Sequence, residues 1–165
     1  MAEEAAAKWE GKANAELKAV SADQVWPLLS DFCGLNRWLP EQIPTCYLVE
    51  GVPGQLGQIR YCAGTASSSD GHDRIIWATE KLVSMDPSMK CFSYEIVENN
   101  AGFKSYVGTI RLIDGGGDGA GCKIEWSFVA DPPEGWRQED LISYIQSCAN
   151  SMAKRMEEAL LLQCK

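Results

Sequence analysis

The last thirty residues, WRQEDLISYIQSCANSMAKRMEEALLLQCK (136–165), contain neither Gly nor Pro, and their reading decides the fold. Leu141, Ile145, Cys148, Met152, Met156 and Ala159 recur at spacings of 4, 3, 4, 4 and 3, the apolar stripe of one helix face. At 1.5 Å per residue such a helix is about 40 Å long. That stripe is too long for a small helix to cover, and it suits lying across a curved sheet.

Upstream the hydrophobic period changes from 3.6 to two, the mark of strands. Segments 46–50, 58–64, 74–85, 90–98, 103–113 and 121–131 read as six of them. Turn residues punctuate the gaps: Val52-Pro53-Gly54, Ser67 to Gly71, Asp86-Pro87-Ser88, Asn99-Asn100 and the glycine-rich run from Asp114 to Gly119. Short connections between successive strands imply an antiparallel meander. Asp131-Pro132-Pro133 ends it.

At the other end, 8–17 alternates, with Trp9, Gly11, Ala13, Ala15 and Leu17 on one face, a strand with one wet side. Ser21 followed by Gln24 is a capping-box signature. Val25, Leu28, Leu29 and Phe32 then repeat as one face of a helix. Pro27 inside it removes a donor for the Asp23 carbonyl, so the helix should be short or kinked. A further turn is expected at 36–39 before Pro40. The order is strand, two short helices, six strands, long helix: an α+β fold in one domain over 1–165, with 1–7 expected to be flexible.

Composition agrees and excludes. The 165 residues are 45% apolar and 23% charged, and at this length roughly 70% of the unfolded chain's surface can be buried. Fifteen Lys and Arg against 23 Asp and Glu leave a net charge of −8, which repels a phosphate backbone and an anionic leaflet. Nucleic acid is therefore not expected as a partner. No stretch is apolar enough to span a membrane, and the acidic start lacks the apolar core of a secretory signal. Seven scattered Cys without a CxxC suit free thiols, and so a cytoplasmic setting is expected. A single His, His72, leaves no histidine-based metal site, and no cofactor is expected. The glycine run at 115–121 fits a loose phosphate-loop pattern but precedes a strand instead of a helix, so it reads as a hairpin tip. The run from Ser67 to His72 reads as a loop that could cover a cavity, not as a catalytic triad.

Strand faces carry the chemistry. Ile76, Ala78, Glu80 and Leu82 share one side, with Glu80 as its single ionisable member. Tyr106 shares a side with Gly108, Ile110 and Leu112; Ile124, Trp126, Phe128 and Ala130 share another. An inward carboxylate is costly unless paired. Arg60, on a strand that carries Cys62 on the same side, is the natural bidentate partner. Polar groups aimed into a sheet-and-helix interior suggest a lined pocket. Two bland readings stand beside this one: the pair fixes strand register or lies solvated at the rim, and Trp126, Phe128 and Met152 are plain core. The cysteines read as small packed hydrophobes, with Cys62, beside Arg60, the best candidate for reactivity.

The segments Lys8-Trp9-Glu10-Gly11-Lys12, Leu48-Val49-Glu50-Gly51, Gly57-Gln58-Ile59-Arg60-Tyr61, Trp77-Ala78-Thr79-Glu80-Lys81-Leu82-Val83 and Glu125-Trp126-Ser127-Phe128 resemble, in that order, the plant START-like superfamily of polyketide cyclases, dehydrases and lipid-transport proteins. Within it they are most similar to the lachrymatory-factor-synthase-like branch. The resemblance implies a helix-grip fold, as in pollen allergens: a seven-stranded antiparallel sheet wrapped around the long carboxy-terminal helix, with a ligand cavity between. It also implies a small apolar partner and, in that branch, cofactor-free isomerisation of a small sulfenic acid. Arg60 would then hold the sulfenic oxygen, Glu80 would shuttle the proton toward carbon, and Tyr106 would orient the substrate. The ligand set expected in such a cavity is Arg60, Cys62, Ile76, Ala78, Glu80, Tyr94, Tyr106, Trp126, Phe128, Tyr144, Cys148 and Met152. The segment between Gly64 and Trp77 departs from the synthase pattern. The proline-bearing gate and His-Arg-Leu latch of the related abscisic acid receptors have no match here. Three functions remain open: a carrier, a sulfenic-acid isomerase, and an adaptor that works through a protein partner of unknown kind.

Overall fold

Alternating side chains produce seven strands in the computed structural model: β1 (Trp9–Leu17), β2 (Thr45–Glu50), β3 (Ile59–Ser67), β4 (Asp73–Asp86), β5 (Cys91–Asn99), β6 (Tyr106–Asp114) and β7 (Cys122–Ala130). The structure describes residues 7–67, 71–115 and 121–163. The expected flexibility of the first residues, the middle of the Ser67–His72 loop and the glycine-rich hairpin tip therefore lie wholly or largely outside the described residues.

All seven strands join one sheet in the order β1-β7-β6-β5-β4-β3-β2, and every adjacent pair is antiparallel. β2 through β7 follow as a meander. The chain crosses from the β1 edge to the β2 edge through helix α1 (Ala22–Leu29) and a 3-10 helix (Phe32–Arg37). Ser21 caps α1 in the expected box, its hydroxyl accepting from Gln24 N while the Gln24 side chain accepts from Ser21 N. Pro27 is tolerated in a helix of only eight residues. The second short helix begins at Phe32 instead of 36.

Helix α2 (Gln138–Gln163) spans 26 residues and lies against the sheet along β1 and β7. Leu141, Ile145, Cys148, Met152 and Met156 are buried as the stripe required, but Ala159 is only half-buried and Leu160 completes the seam. The 3.6-residue period drifts away from an exact heptad, and over five turns this moves the contact by one position. Gln146 donates to Asn14 O at 2.8 Å and Gln138 to Glu10 O at 3.2 Å, so α2 also satisfies the outer edge of β1.

Irregularities in the ladder bend the sheet. Between β4 and β5 the register shifts twice, leaving Val97 and Val83 without opposite numbers. The second shift reverses the inward phase of β4, so Met85, not Ser84, faces Phe92. The first lies beside Glu80. There Thr79 Oγ1 accepts from Glu98 N at 3.1 Å, which replaces a lost ladder bond. β6 starts at Tyr106, three residues later than the pattern suggested. Asn99 Oδ1 accepts from both Ala101 N and Phe103 N and holds that approach as a turn.

Candidate ligand cavity

Where α2 leans on β1 and β7, Ala13, Ala15, Ile124 and Ala130 pack to exclusion. Under β3, β4 and β5 the sheet bends away and side chains on its inner face are small: Cys62, Gly64, Ala66 and Ala78. The mismatch leaves a cavity of about 330 Å³, enough for a small organic molecule. Gly64 is required for its wall: a β-carbon there would overlap Gln42 O, where the connection after the 3-10 helix crosses β3.

One end of the cavity is polar. Arg60 and Glu80 sit directly opposite in the β3–β4 register, so strand alternation sends both inward together. Arg60 Nε and Nη2 donate to Glu80 Oε1 at 2.8 and 2.7 Å, and Nη1 donates to Phe32 O at 2.6 Å. The guanidinium also lies 3.9 Å from the Phe32 ring centroid and 5.1 Å from that of Tyr94. Its side chain is only 2% exposed, that of Glu80 13%. Burial works to discharge Arg60, but the adjacent carboxylate outweighs it and holds the guanidinium charged. Among the described residues, Arg60 and Cys62 both engage Oε1 and none engages Oε2 of Glu80. At another part of the lining the buried Gln42 Oε1 also lacks a partner, while its amide nitrogen donates to Ser147 Oγ. Among the described residues, two unengaged acceptors thus border a mainly apolar space.

A second polar element crosses the floor. Trp126 Nε1 donates to Tyr94 Oη at 3.1 Å, and Tyr94 Oη and Tyr106 Oη share a hydrogen bond of 3.1 Å. Burial, with Tyr106 beside it, pushes Tyr94 well above the ordinary tyrosine range, and burial does the same to Tyr106, against the hydrogen bond from Tyr94 that favours its ionisation. Both are neutral hydrogen-bonding groups at physiological pH. Gly108 makes room for this arrangement, since a β-carbon there would overlap the Tyr94 ring.

Of the residues expected in the cavity, Arg60, Cys62, Ile76, Ala78, Glu80, Tyr94, Tyr106, Trp126, Tyr144 and Cys148 line it. Phe128 and Met152 do not. Phe128 stacks behind Tyr106 at 5.7 Å, and Met152 is buried farther along α2, one turn past Cys148, where helix and sheet close on each other. Sequence reading missed Leu35 and Gln42, which the 3-10 helix and its following loop bring over, and Phe103 and Trp136, which come from loops. Trp136 alone left a signal, an aromatic residue directly before the long helix; its Nε1 donates to Ala101 O at 3.0 Å.

The thiols divide by environment. Burial pushes Cys148 up to about 12, so it stays a protonated lining group. Cys62 is pushed up as well, because its S–H serves Cys46, because it is buried, and because Glu80 is near. Its cross-strand neighbour Cys46 is instead pulled down to about 7, chiefly by the hydrogen bond from Cys62 and, against its own burial, by the Arg60 charge. Among the described residues no three His, Cys, Asp or Glu side chains converge to hold a metal ion. No helix of the described residues is long and apolar enough to cross a membrane.

A family model described as polyketide cyclase / dehydrase and lipid transport matches residues 12–160. Among solved structures, the protein XoxI of Bacillus cereus is 25% identical, with a TM-score of 0.69 over 93% of this chain and 96% of that one. An uncharacterized protein of Bacillus thuringiensis is also 25% identical, at a TM-score of 0.68 over 92% and 98%. Ginseng major latex-like protein 151 of Panax ginseng, 22% identical, superposes at 0.74 over 94% and 99%, a likeness of fold.

Proposed function

The chain belongs to the polyketide cyclase / dehydrase and lipid transport family, and from that premise we propose that it carries a small, largely apolar molecule anchored at its polar end by Arg60 and Glu80. The observation that carries this reading is Oε2 of Glu80, unengaged among the described residues, at the edge of a mainly apolar cavity of about 330 Å³. A carboxylate oxygen that is accessible at the cavity edge and has no protein donor is free to accept a charge-assisted hydrogen bond, and a ligand hydroxyl or N–H supplies one. Gln42 Oε1 asks for the same kind of partner. Arg60, by contrast, has spent Nε and one N–H of each terminal nitrogen on Glu80 and Phe32. It serves mainly to hold the carboxylate in place. A ligand with an apolar body and a neutral donor head fits this end better than a carboxylate, which Glu80 would repel.

The test is native mass spectrometry of the purified protein, followed by thermal-shift titration with long-chain alcohols and the matching fatty acids. The alcohols should raise the melting temperature, and by less in Glu80→Gln. If neither series shifts it and no small molecule co-purifies, the carrier reading fails.

A second reading is favoured by one further observation: Tyr106 borders the same cavity as Arg60 and Glu80. This is the trio that the likeness to the lachrymatory-factor-synthase-like branch implies. In an alkenyl sulfenic acid, Glu80 would take the proton from the S–OH oxygen and return it to the alkene carbon remote from sulfur. The double bond would shift onto the carbon–sulfur bond to give a thial S-oxide, so no atom is gained or lost. Remaining Arg60 N–H groups would hold the oxygen. Supplied with alliinase and an alkenyl cysteine sulfoxide, the protein should form the S-oxide, and Glu80→Gln should lower its yield by at least 100-fold, the scale of one general acid–base group. No S-oxide above the alliinase-only control rejects this reading and leaves the carrier reading standing.

A further inference from the structure

Cys46 and Cys62 stand directly opposite each other on β2 and β3, with their sulfurs 3.7 Å apart. Opposed residues of an antiparallel pair have Cα atoms roughly 4.5–5.5 Å apart, inside the range of roughly 4.4–6.8 Å that a disulfide spans. β2 is an edge strand, and Cys46 is half-buried on it, whereas Cys62 is buried and borders the cavity. The single S–H of Cys62 faces two acceptors, Cys46 Sγ and Glu80 Oε1, each at 3.7 Å. The pair therefore joins an accessible sulfur, next to the Arg60 charge, to a protected one that already points its hydrogen at it.

We propose that Cys46 and Cys62 form an oxidisable dithiol, in which Cys46 is the sulfur attacked by hydroperoxides and Cys62 the one that resolves it into a cross-strand disulfide. The Cys46 thiolate attacks the terminal peroxide oxygen, the O–O bond breaks, and the alkoxide or hydroxide leaves and takes up a proton. Cys46 is now a sulfenic acid, oxidised by two electrons, and the hydroperoxide has been reduced to an alcohol or water. The Cys62 sulfur then attacks the Cys46 sulfur, the S–O bond breaks, and water leaves with the Cys62 proton. The thiolate form of Cys46 that the first step needs is the form its surroundings favour. Closing the bond takes the Cys62 hydrogen away from Glu80, so the oxidised state alters the polar end of the cavity. This assignment does not depend on what the cavity holds.

The fully reduced wild-type protein is exposed to hydrogen peroxide or cumene hydroperoxide, alkylated with iodoacetamide and mapped by peptide mass spectrometry. The expected result is loss of the mass of two hydrogens, a peptide linking Cys46 to Cys62, and full reversal by dithiothreitol. In Cys62→Ser, dimedone should add at Cys46; in Cys46→Ser, Cys62 should remain alkylatable. Both thiols emerging alkylated after Cys91 has been oxidised would overturn the proposal. So would a link from Cys46 to Cys33, the other thiol of that neighbourhood, whose sulfur donates to Gln58 Oε1 at 3.6 Å. These readings come from the wild-type chain, so a variant that fails to fold leaves the outcome decided.

Discussion

Arg60 is the largest charged group in the interior, and its surroundings account for every contact that keeps it there: the Glu80 carboxylate, the Phe32 carbonyl and two aromatic faces. Such a pair resists loss of one partner more than loss of both. Arg60→Ala should destabilise the fold by about 3–5 kcal/mol in urea denaturation, since it strands Glu80. The double change Arg60→Met with Glu80→Leu should cost clearly less than either single change. Equal and additive losses would show the pair to be solvated instead. The facing of these two side chains was legible because both lie on regular strands, where the period of two fixes direction. Gln42 was not legible: it sits in a loop, and its place over the cavity follows from Gly64 allowing that loop to cross β3.

Among the elements, β6 shows how one small residue sets the shape of the site. Gly108 lies between Tyr106 and Ile110 on the inward face, and Tyr94 of β5 fills the space its side chain would take. Gly108→Ala should push the Tyr94 ring off its place and cost about 1–3 kcal/mol, the usual penalty for overpacking. The same shift should weaken the Tyr94–Tyr106 hydrogen bond, visible as altered tyrosine ultraviolet absorption. Unchanged stability would mean that the ring has room to move. Helix α2 was readable from its stripe alone, because a 26-residue amphipathic helix averages over local exceptions. The start of β6 and the bulge at Val83 were not, since each depends on hydrogen bonds between segments distant in sequence.

On the scale of the whole molecule, the buried phenols and thiols tie stability to pH. Tyr94 and Tyr106, like Cys62 and Cys148, hold their protons to higher pH when folded than when unfolded. Their contribution is complete below the unfolded values, about 8.5 for thiols and 10 for phenols, and declines as pH rises through and beyond them. Cys46, drawn down to about 7, acts in the opposite sense and adds stability as pH rises toward about 8.5. The urea midpoint should therefore fall steadily above about pH 9–10, and less steeply in Tyr106→Phe. A midpoint independent of pH up to 11, a value roughly one unit above the ordinary phenol, would mean that these hydroxyls reach water.

The amino-acid order by itself determined the sheet-and-helix class, the meander and the inward direction of Arg60, Glu80, Tyr106 and Trp126. These are consequences of side-chain periodicity and turn chemistry, which act over a few residues. Tertiary structure decided that the interior is hollow under β3 to β5 and filled under β7. A void is a difference between the curvature of a sheet and the volume of what covers it, and no local pattern encodes that difference. It also decided that Phe128 backs the wall behind Tyr106, that Met152 is buried outside the cavity, and that Cys46 and Cys62, sixteen residues apart, meet as a pair of sulfurs.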